Sequence, residues 1–81
     1  MRATPEVINM VTNILAKSLY LDDVKPSADL ETDLGITTIG RTTIISKLNH
    51  YFDLSTCLML DDLFQCKTVL DVCELIERRL K

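Results

Sequence analysis

The residues of this sequence with the clearest chemical potential are two adjacent hydroxyls, Thr37 and Thr38, in the stretch "ETDLGITTIGRTTI" at residues 31–44. They follow Gly35, a residue typical of tight turns, and precede a pattern typical of a helix. A threonine at such a point can accept hydrogen bonds from the free amides of the first helical turn. Its hydroxyl can also serve as a point of covalent attachment. The stretch therefore predicts either a helix cap or a chemical attachment site.

The rest of the sequence offers little for catalysis or metal binding. Cys57, Cys66 and Cys73 lack the paired spacing of a zinc site or a disulfide framework, and His50 is the sole histidine. No recognisable motif places a nucleophile or an orienting carboxylate with His50. Because no nucleophile, base and oxyanion donor can be assembled from these residues, we predict that the protein is not an enzyme and binds no metal.

The charge and the length of the chain restrict its partners. Nine Lys and Arg residues stand against twelve Asp and Glu, a net charge of −3, and the basic residues are scattered. Nucleic-acid binding needs a dense basic surface, so nucleic acid is not expected. No apolar run approaches the roughly 20 residues that cross a bilayer, and the start "MRATPEVINM" lacks a signal peptide's apolar stretch. We predict one monomeric, cytoplasmic domain over residues 1–81 without membrane contact.

A first helix and a long connection are predicted before the threonine pair. Thr4-Pro5-Glu6 is a helix start, and the apolar stripe that follows fades at Leu19-Tyr20. Residues 21–37 lack a helical period and contain Pro26, so a connection is predicted there. The apolar residues of the helix stripe are Val7, Val11, Ile14 and Leu15, and those that let the connection lie against the helices are Leu21, Val24, Leu30, Leu34 and Ile36.

Three further helices are predicted after Thr37. The second runs from Thr38 to about Phe52, with Thr37 or Thr38 as its cap. Its inward face is expected to contain Ile39, Ile45, Leu48 and Phe52, and its outward positions Arg41, Lys47 and His50. The segment "MLDDLF" predicts a short third helix that ends near Cys66. Thr68 and Asp71 resemble a capping box for a fourth helix, whose inward residues are Val69, Val72, Cys73, Ile76 and Leu80.

The fold class that follows is all-α, a small four-helix bundle of three longer helices and one short helix. A long loop joins helices 1 and 2. Hydrophobic residues make up 47% of the chain and aromatic residues only 5%, so the core is expected to consist of Leu, Ile and Val.

These segments together resemble the acyl and peptidyl carrier proteins of fatty-acid, polyketide and nonribosomal-peptide synthesis. The resemblance covers nearly the whole chain, in "ADLETDLGI", "IISKLNHYFDL" and "LDDLFQCKTVLDVCELI". The wording "DDLFQCKTV" is closer to polyketide-synthase carriers. In the family the central segment reads D-L-G-x-D-S-[LI], and its serine receives a 4′-phosphopantetheine arm whose thiol carries the acyl chain. Residues 33–36 and Ile39 fit this pattern, but Thr37 replaces the aspartate and Thr38 replaces the serine.

The resemblance implies a site and a set of partners. Thr38 occupies the position of the phosphopantetheine serine. The resemblance also implies that the second helix docks on enzymes or domains of a biosynthetic synthase, through Ile39, Arg41, Thr42, Ile45 and Lys47. In the family this helix is commonly acidic, whereas residues 38–52 here contain no acid. The partners are therefore expected to differ in charge from the usual ones.

Three hypotheses follow. We favour a carrier-like domain that has lost its prosthetic group and acts as a noncovalent interaction or scaffolding module, with the threonine pair as a helix cap and no cofactor. The first alternative is a working carrier with 4′-phosphopantetheine on Thr38, or on a serine in a native form of the chain. The second alternative is an unrelated helical adaptor that shares only the bundle geometry.

Overall fold

Four helices account for the regular structure of residues 3–81, the part of the chain that the computed structural model describes. They are α1 (Pro5–Leu19), α2 (Thr38–Tyr51), α3 (Leu60–Phe64) and α4 (Val69–Arg79). α1 packs against α2 and α4, and α3 packs against α2. The predicted all-α bundle with three longer helices and one short one is confirmed. Met1 and Arg2, the start of the predicted 1–81 domain, lie outside the described residues.

The first helix begins and ends at signals in its own sequence. The Thr4 hydroxyl accepts a hydrogen bond from the Val7 amide at 3.4 Å, and Pro5 occupies the first turn. Tyr20, in a left-handed conformation with φ of 57°, ends the helix. The predicted apolar stripe is confirmed, since Val7, Val11 and Leu15 are buried and Ile14 is half-buried.

The connection between α1 and α2 is hydrogen-bonded to the start of α4. Its backbone pairs with the start of α4, where the Leu30 amide donates to the Lys67 carbonyl at 2.9 Å and the Val69 amide donates to the Ala28 carbonyl at 3.0 Å. Val24, Leu30 and Ile36 are buried in the core, whereas Leu21, which was expected to pack inward, is 39% exposed. The connection is thus an ordered part of the fold, as predicted.

One aliphatic core holds the four helices and the connection together. It contains a single aromatic ring among the described residues, that of Phe52, as the composition predicts. Side chains from every element contribute to it: Val7, Val11, Leu15, Val24, Leu30, Ile36, Ile44, Leu48, Phe52, Leu58, Leu63, Val69, Val72, Cys73, Leu75 and Ile76. Burial raises the pKa of the Cys73 thiol to about 12, so this cysteine is a packing residue. Within residues 3–81 no helix is both long and apolar enough to span a membrane.

The inward face of α2 differs from the predicted one. Ile39 is 81% exposed and Arg41 is only 5% exposed, the reverse of the expectation, and Ile44 is buried. The helical period explains the error: Ile39 precedes Leu48 by nine residues, which at about 100° per residue places the two on opposite sides of the helix. Arg41, Ile44 and Leu48 follow the i, i+3, i+7 spacing of one face.

An ion pair joins α3 to the end of α4, and a capping box forms the start of α4. Arg79 donates two hydrogen bonds of 2.9 Å to the Asp62 carboxylate. Thr68 and Asp71 form the predicted capping box, in which the Asp71 amide donates to the Thr68 hydroxyl at 3.3 Å and the Thr68 amide donates to the Asp71 carboxylate at 3.0 Å. Leu80 is 37% exposed and follows α4, so its predicted inward position is wrong.

The Asp71 capping box makes a prediction about acid stability. Hydrogen bonds from the Thr68 and Lys67 amides lower the pKa of the Asp71 carboxyl below its usual 3.8. A carboxyl with a lowered folded pKa stabilises the fold above pH 3.8, and the stabilisation disappears as the pH falls through the folded value. Asp71→Asn is expected to reduce stability at pH 7 by about 1 kcal/mol and to flatten the loss of stability below pH 4.

Chemical denaturation between about pH 2.5 and 7 measures this effect, since it reports the free energy of unfolding at each pH. Asp22→Asn, a change at an exposed carboxylate in the connection, is the matched control and is expected to follow the wild-type profile. An Asp71→Asn profile parallel to that of the wild type at every pH would contradict the assignment.

Candidate functional site

The threonine pair lies where a tight turn enters α2. The Gly35 amide donates to the Glu31 carbonyl at 3.0 Å, and Gly35 has a φ of 64°, a left-handed value that a side chain would strain. The buried Ile36 follows, its amide donating to the Leu30 carbonyl at 3.0 Å. This turn reverses the chain and starts α2 at the surface.

Thr37 is the cap of α2. It has an extended backbone with φ of −85° and ψ of 174°, and its hydroxyl accepts a hydrogen bond from the Gly40 amide at 3.1 Å. Its carbonyl accepts the first helical hydrogen bond, from the Arg41 amide at 2.8 Å. The cap interpretation is therefore confirmed for Thr37, and Thr38 is not needed for it.

Thr38 is the first helical residue of α2 and is exposed. Its carbonyl accepts a hydrogen bond from the Thr42 hydroxyl at 3.2 Å, while the helix cap is supplied by the residue before it. The hydroxyl of Thr38 is thus presented at the positive end of the helix, where a phosphate is favoured.

The groups around Thr38 decide whether a phosphate-linked arm would fit there. The first turn of α2 contains no acid, so no carboxylate of this helix would oppose a phosphate. The two nearest acids before it are engaged in the turn, because Asp33 accepts from the Asp29 amide at 2.7 Å and Glu31 pairs with Arg41 at 2.9 Å. The site has the exposed hydroxyl and the favourable helix end, but it lacks a carboxylate at position 37.

Arg41 is a buried guanidinium that ties three segments together. It donates to the Glu31 carboxylate at 2.9 Å and to the Ile36 carbonyl at 3.5 Å, both in the turn before α2. Its guanidinium carbon lies 4.8 Å from the ring centre of Phe64, at the end of α3. Arg41 therefore fixes the start of α2 relative to the turn and to α3, and it is not available for docking as the sequence suggested.

The predicted docking residues do not form one surface. Ile39 and Thr42 are exposed near the N-terminal end of α2, although Thr42 turns its hydroxyl back onto the helix. Ile45 is half-buried against the core. Lys47 is half-buried and borders a groove against α1. Two of the five residues thus remain beside Thr38, and Arg41, Ile45 and Lys47 lie elsewhere.

Two features of the site were missed in the sequence. The first is the role of Arg41, for which a signal was present: Arg41, Ile44 and Leu48 share a helix face, so a charged residue there had to be buried and paired. The second is a pair of exposed apolar side chains at the two ends of α3: Met59, just before the helix, is 64% exposed, and Phe64 is 49% exposed. In the described part of the chain, no cluster of His, Cys, Asp and Glu could hold a metal ion.

The comparisons with known proteins agree with the fold. The family model described as a phosphopantetheine attachment site matches residues 9–76. A solved structure described as the solution structure of the apo doublet acyl carrier protein from prodigiosin biosynthesis is similar to this chain, with a TM-score of 0.79 and 25% sequence identity over 93% of it. The match spans 36% of that longer chain. No curated protein sequence matches significantly.

The division of work between the two threonines is testable by a pair of alanine variants. Thr37→Ala removes the hydroxyl that accepts from the Gly40 amide and is expected to lower stability by about 1 kcal/mol. Thr38→Ala removes a hydroxyl outside the cap, and the change is expected to stay within about 0.5 kcal/mol. Urea unfolding of both variants measures the difference, and an equal or larger loss for Thr38→Ala would show that the cap is misassigned.

A second prediction concerns the buried guanidinium. Arg41→Ala leaves the Ile36 carbonyl without its donor and removes packing against Phe64, so we expect a loss of about 1–3 kcal/mol. Glu31→Gln is the control, because the exposed glutamine keeps an oxygen that can accept the hydrogen bond from Arg41, and the expected loss is therefore under about 1 kcal/mol. Equal losses in the two variants, measured by thermal and urea unfolding, would mean that the ion pair rather than the burial of Arg41 stabilises the fold.

Proposed function

The chain belongs to the phosphopantetheine attachment-site family, whose model matches most of its length, and we propose that it is a carrier domain that acts through noncovalent contacts. In this proposal the domain serves a biosynthetic system of polyketide or fatty-acid type, carries no prosthetic arm, and binds enzymes or other domains as a scaffolding module. Family membership excludes the hypothesis of an unrelated helical adaptor. Residues 1–81 are proposed to act as one such domain.

The observation that carries the proposal is the threonine pair in an otherwise complete carrier fold. The turn, the cap and the start of α2 are formed, yet the carboxylate and the serine that the resemblance leads one to expect are both absent from positions 37 and 38. Phosphoryl transfer depends on positioning and charge stabilisation. The extra methyl of Thr38 and its restricted χ1 hinder the approach of a transferase.

Exposed apolar side chains next to the site support a binding role. Ile39 is 81% exposed directly after Thr38, and Phe64 of α3 is 49% exposed. Phe64 is held beside the first turn of α2 by its contact with Arg41. Exposed apolar side chains that together form a contiguous patch are typical of a protein interface. We propose that Ile39 and Thr42 belong to this docking surface.

A second candidate function is favoured by the free hydroxyl of Thr38. Because Thr37 supplies the cap, the Thr38 oxygen is free to bond to the phosphorus of the pantetheine phosphate. The P–O bond of the coenzyme A pyrophosphate breaks in the same step and releases adenosine 3′,5′-bisphosphate, and a base of the transferase takes the hydroxyl proton. The arm would supply a thiol to which an acyl group is joined as a thioester. In that case the protein is a working acyl carrier, and Thr38 holds the arm.

Intact-mass measurement after treatment with coenzyme A and a broad-specificity phosphopantetheinyl transferase separates the two functions. We expect no gain of mass for the wild-type chain and a gain for Thr37→Asp combined with Thr38→Ser, because aspartate also caps helices well and the repair leaves the fold intact. Thr38→Ser alone is expected to react more slowly than the double variant.

Thr38→Ala is the negative control for the same assay. A gain of mass in the wild type that Thr38→Ala abolishes would overturn the proposal and establish Thr38 as an attachment site. A gain that persists in Thr38→Ala would place the modification on another residue. If no variant gains the arm, the surface around α2 is not one that the transferase uses, and the resemblance at the site is structural alone.

A further inference from the structure

A groove with basic side chains runs between α1 and α2, away from the threonine pair. Its volume is about 460 Å³. Lys17 of α1 and Lys47 and His50 of α2 contribute its basic groups. His50 follows Thr38 by twelve residues, which at 1.5 Å per residue places it about 18 Å further along the helix. The groove is therefore distinct from the attachment position and from the exposed apolar residues around it.

The charge of this groove is opposite to that of the rest of the chain. Of the twelve Asp and Glu residues only Glu6 lies in α1 or α2, which leaves eleven elsewhere in a protein of net charge −3. Glu6 lies one turn before the groove residue Met10, and Asp53, just after α2, is paired with Lys81 at 3.4 Å. The residues that line the groove include no acid. A local positive surface on an acidic protein orients an acidic partner, since the remaining surface repels it.

Apolar side chains also line the groove. Met10 is 42% exposed and Tyr51 is 60% exposed, and both line it together with the half-buried Ile14. The rings of His50 and Tyr51 meet edge to face with their centres 5.2 Å apart, forming one aromatic wall. An apolar floor between two helices, with cations at its border, matches the recognition of an amphipathic helix by its apolar face.

We propose that the groove between α1 and α2 binds an acidic amphipathic helix of a partner protein. The helix would place its apolar side chains against Met10, Ile14 and Tyr51, and its carboxylates beside Lys17 and Lys47. This inference rests on the proposed noncovalent role of the domain and gives it a second contact surface. Because the α2 residues of the groove begin at Ser46, eight residues and about 12 Å along the helix from Thr38, the helix can bind while the start of α2 contacts another protein.

Titration of the wild-type chain with a designed peptide tests the proposal directly. The probe is a fluorescent helical peptide of about 18 residues with Leu on one face and Glu on the other, and the control peptide has Lys in place of each Glu. Amide chemical shifts of the protein are expected to change at the groove residues of α1 and α2 and to remain unchanged at residues 37–42. The Lys peptide is expected to bind at least about tenfold more weakly than the Glu peptide. Added salt is expected to weaken the binding of the Glu peptide.

A matched pair of charge-reversal variants tests the groove itself. Lys17→Glu with Lys47→Glu is expected to weaken the binding of the Glu peptide by about tenfold or more. Lys25→Glu with Lys67→Glu changes the net charge equally at exposed positions outside the groove and is expected to change the affinity for the Glu peptide by less than about threefold. Equal weakening in the two double variants would overturn the proposal, because it would show a response to net charge alone. If the groove variant fails to fold, the shift map of the wild type decides.

Other outcomes of the titration also contradict the proposal. Shift changes centred on Ile39 and α3, or no saturable change at all, would show that the groove does not bind the probe. Changes at the groove that follow the concentration of the protein without peptide would identify a second copy of the chain as the occupant. The peptide titration does not depend on the mass assay of Thr38. Absence of peptide binding would contradict the groove proposal alone, whereas a gain of mass at Thr38 would contradict the noncovalent role.

Discussion

The start of α2 depends on one buried cation. The guanidinium of Arg41 is 5% exposed and contacts the Glu31 carboxylate, the Ile36 carbonyl and the ring of Phe64. These partners belong to the turn before α2 and to α3, so a single side chain fixes three segments. A buried charge is costly unless it is paired and hydrogen-bonded, and the fold therefore has to bring these partners together. The position of the threonine pair follows from this requirement.

The buried cation also explains how the two threonines come to differ. With the turn held by Arg41 and by the left-handed Gly35, the chain enters α2 with Thr37 in an extended conformation and Thr38 in the first turn. The cap requires a hydroxyl only at the first of these positions. The second position is free of a structural task, and its side chain is at the surface. The side chain at position 38 can therefore change without loss of helix stability. A carrier fold can thus form with threonine in place of serine there.

The sequence predicted the features that depend on neighbouring residues. The start of α1, the Thr68 capping box and the order of helices follow from local hydrogen-bonding types and apolar spacing, and all are confirmed. The placement of Arg41 depends on Glu31, ten residues away, and on Phe64 in another helix, so the charge of Arg41 suggested an outward position that packing overrides. The threonine pair was correctly placed at the start of α2, but only backbone geometry could assign the cap to Thr37. The groove between α1 and α2 arises from tertiary packing, and no local pattern reveals it.

The distribution of charge along α2 suggests why this helix can serve two contacts. Its N-terminal turn has the positive end of the dipole, but its one arginine is buried, so its exposed surface is uncharged and consists of threonines around the apolar Ile39. Its C-terminal half presents Lys47 and His50 toward α1, next to Lys17. An apolar partner and an acidic partner would therefore be separated along one rigid helix, each excluded from the other's surface by desolvation or by repulsion. In the proposed noncovalent role, such a separation would give the domain a specificity that does not depend on a covalently attached group.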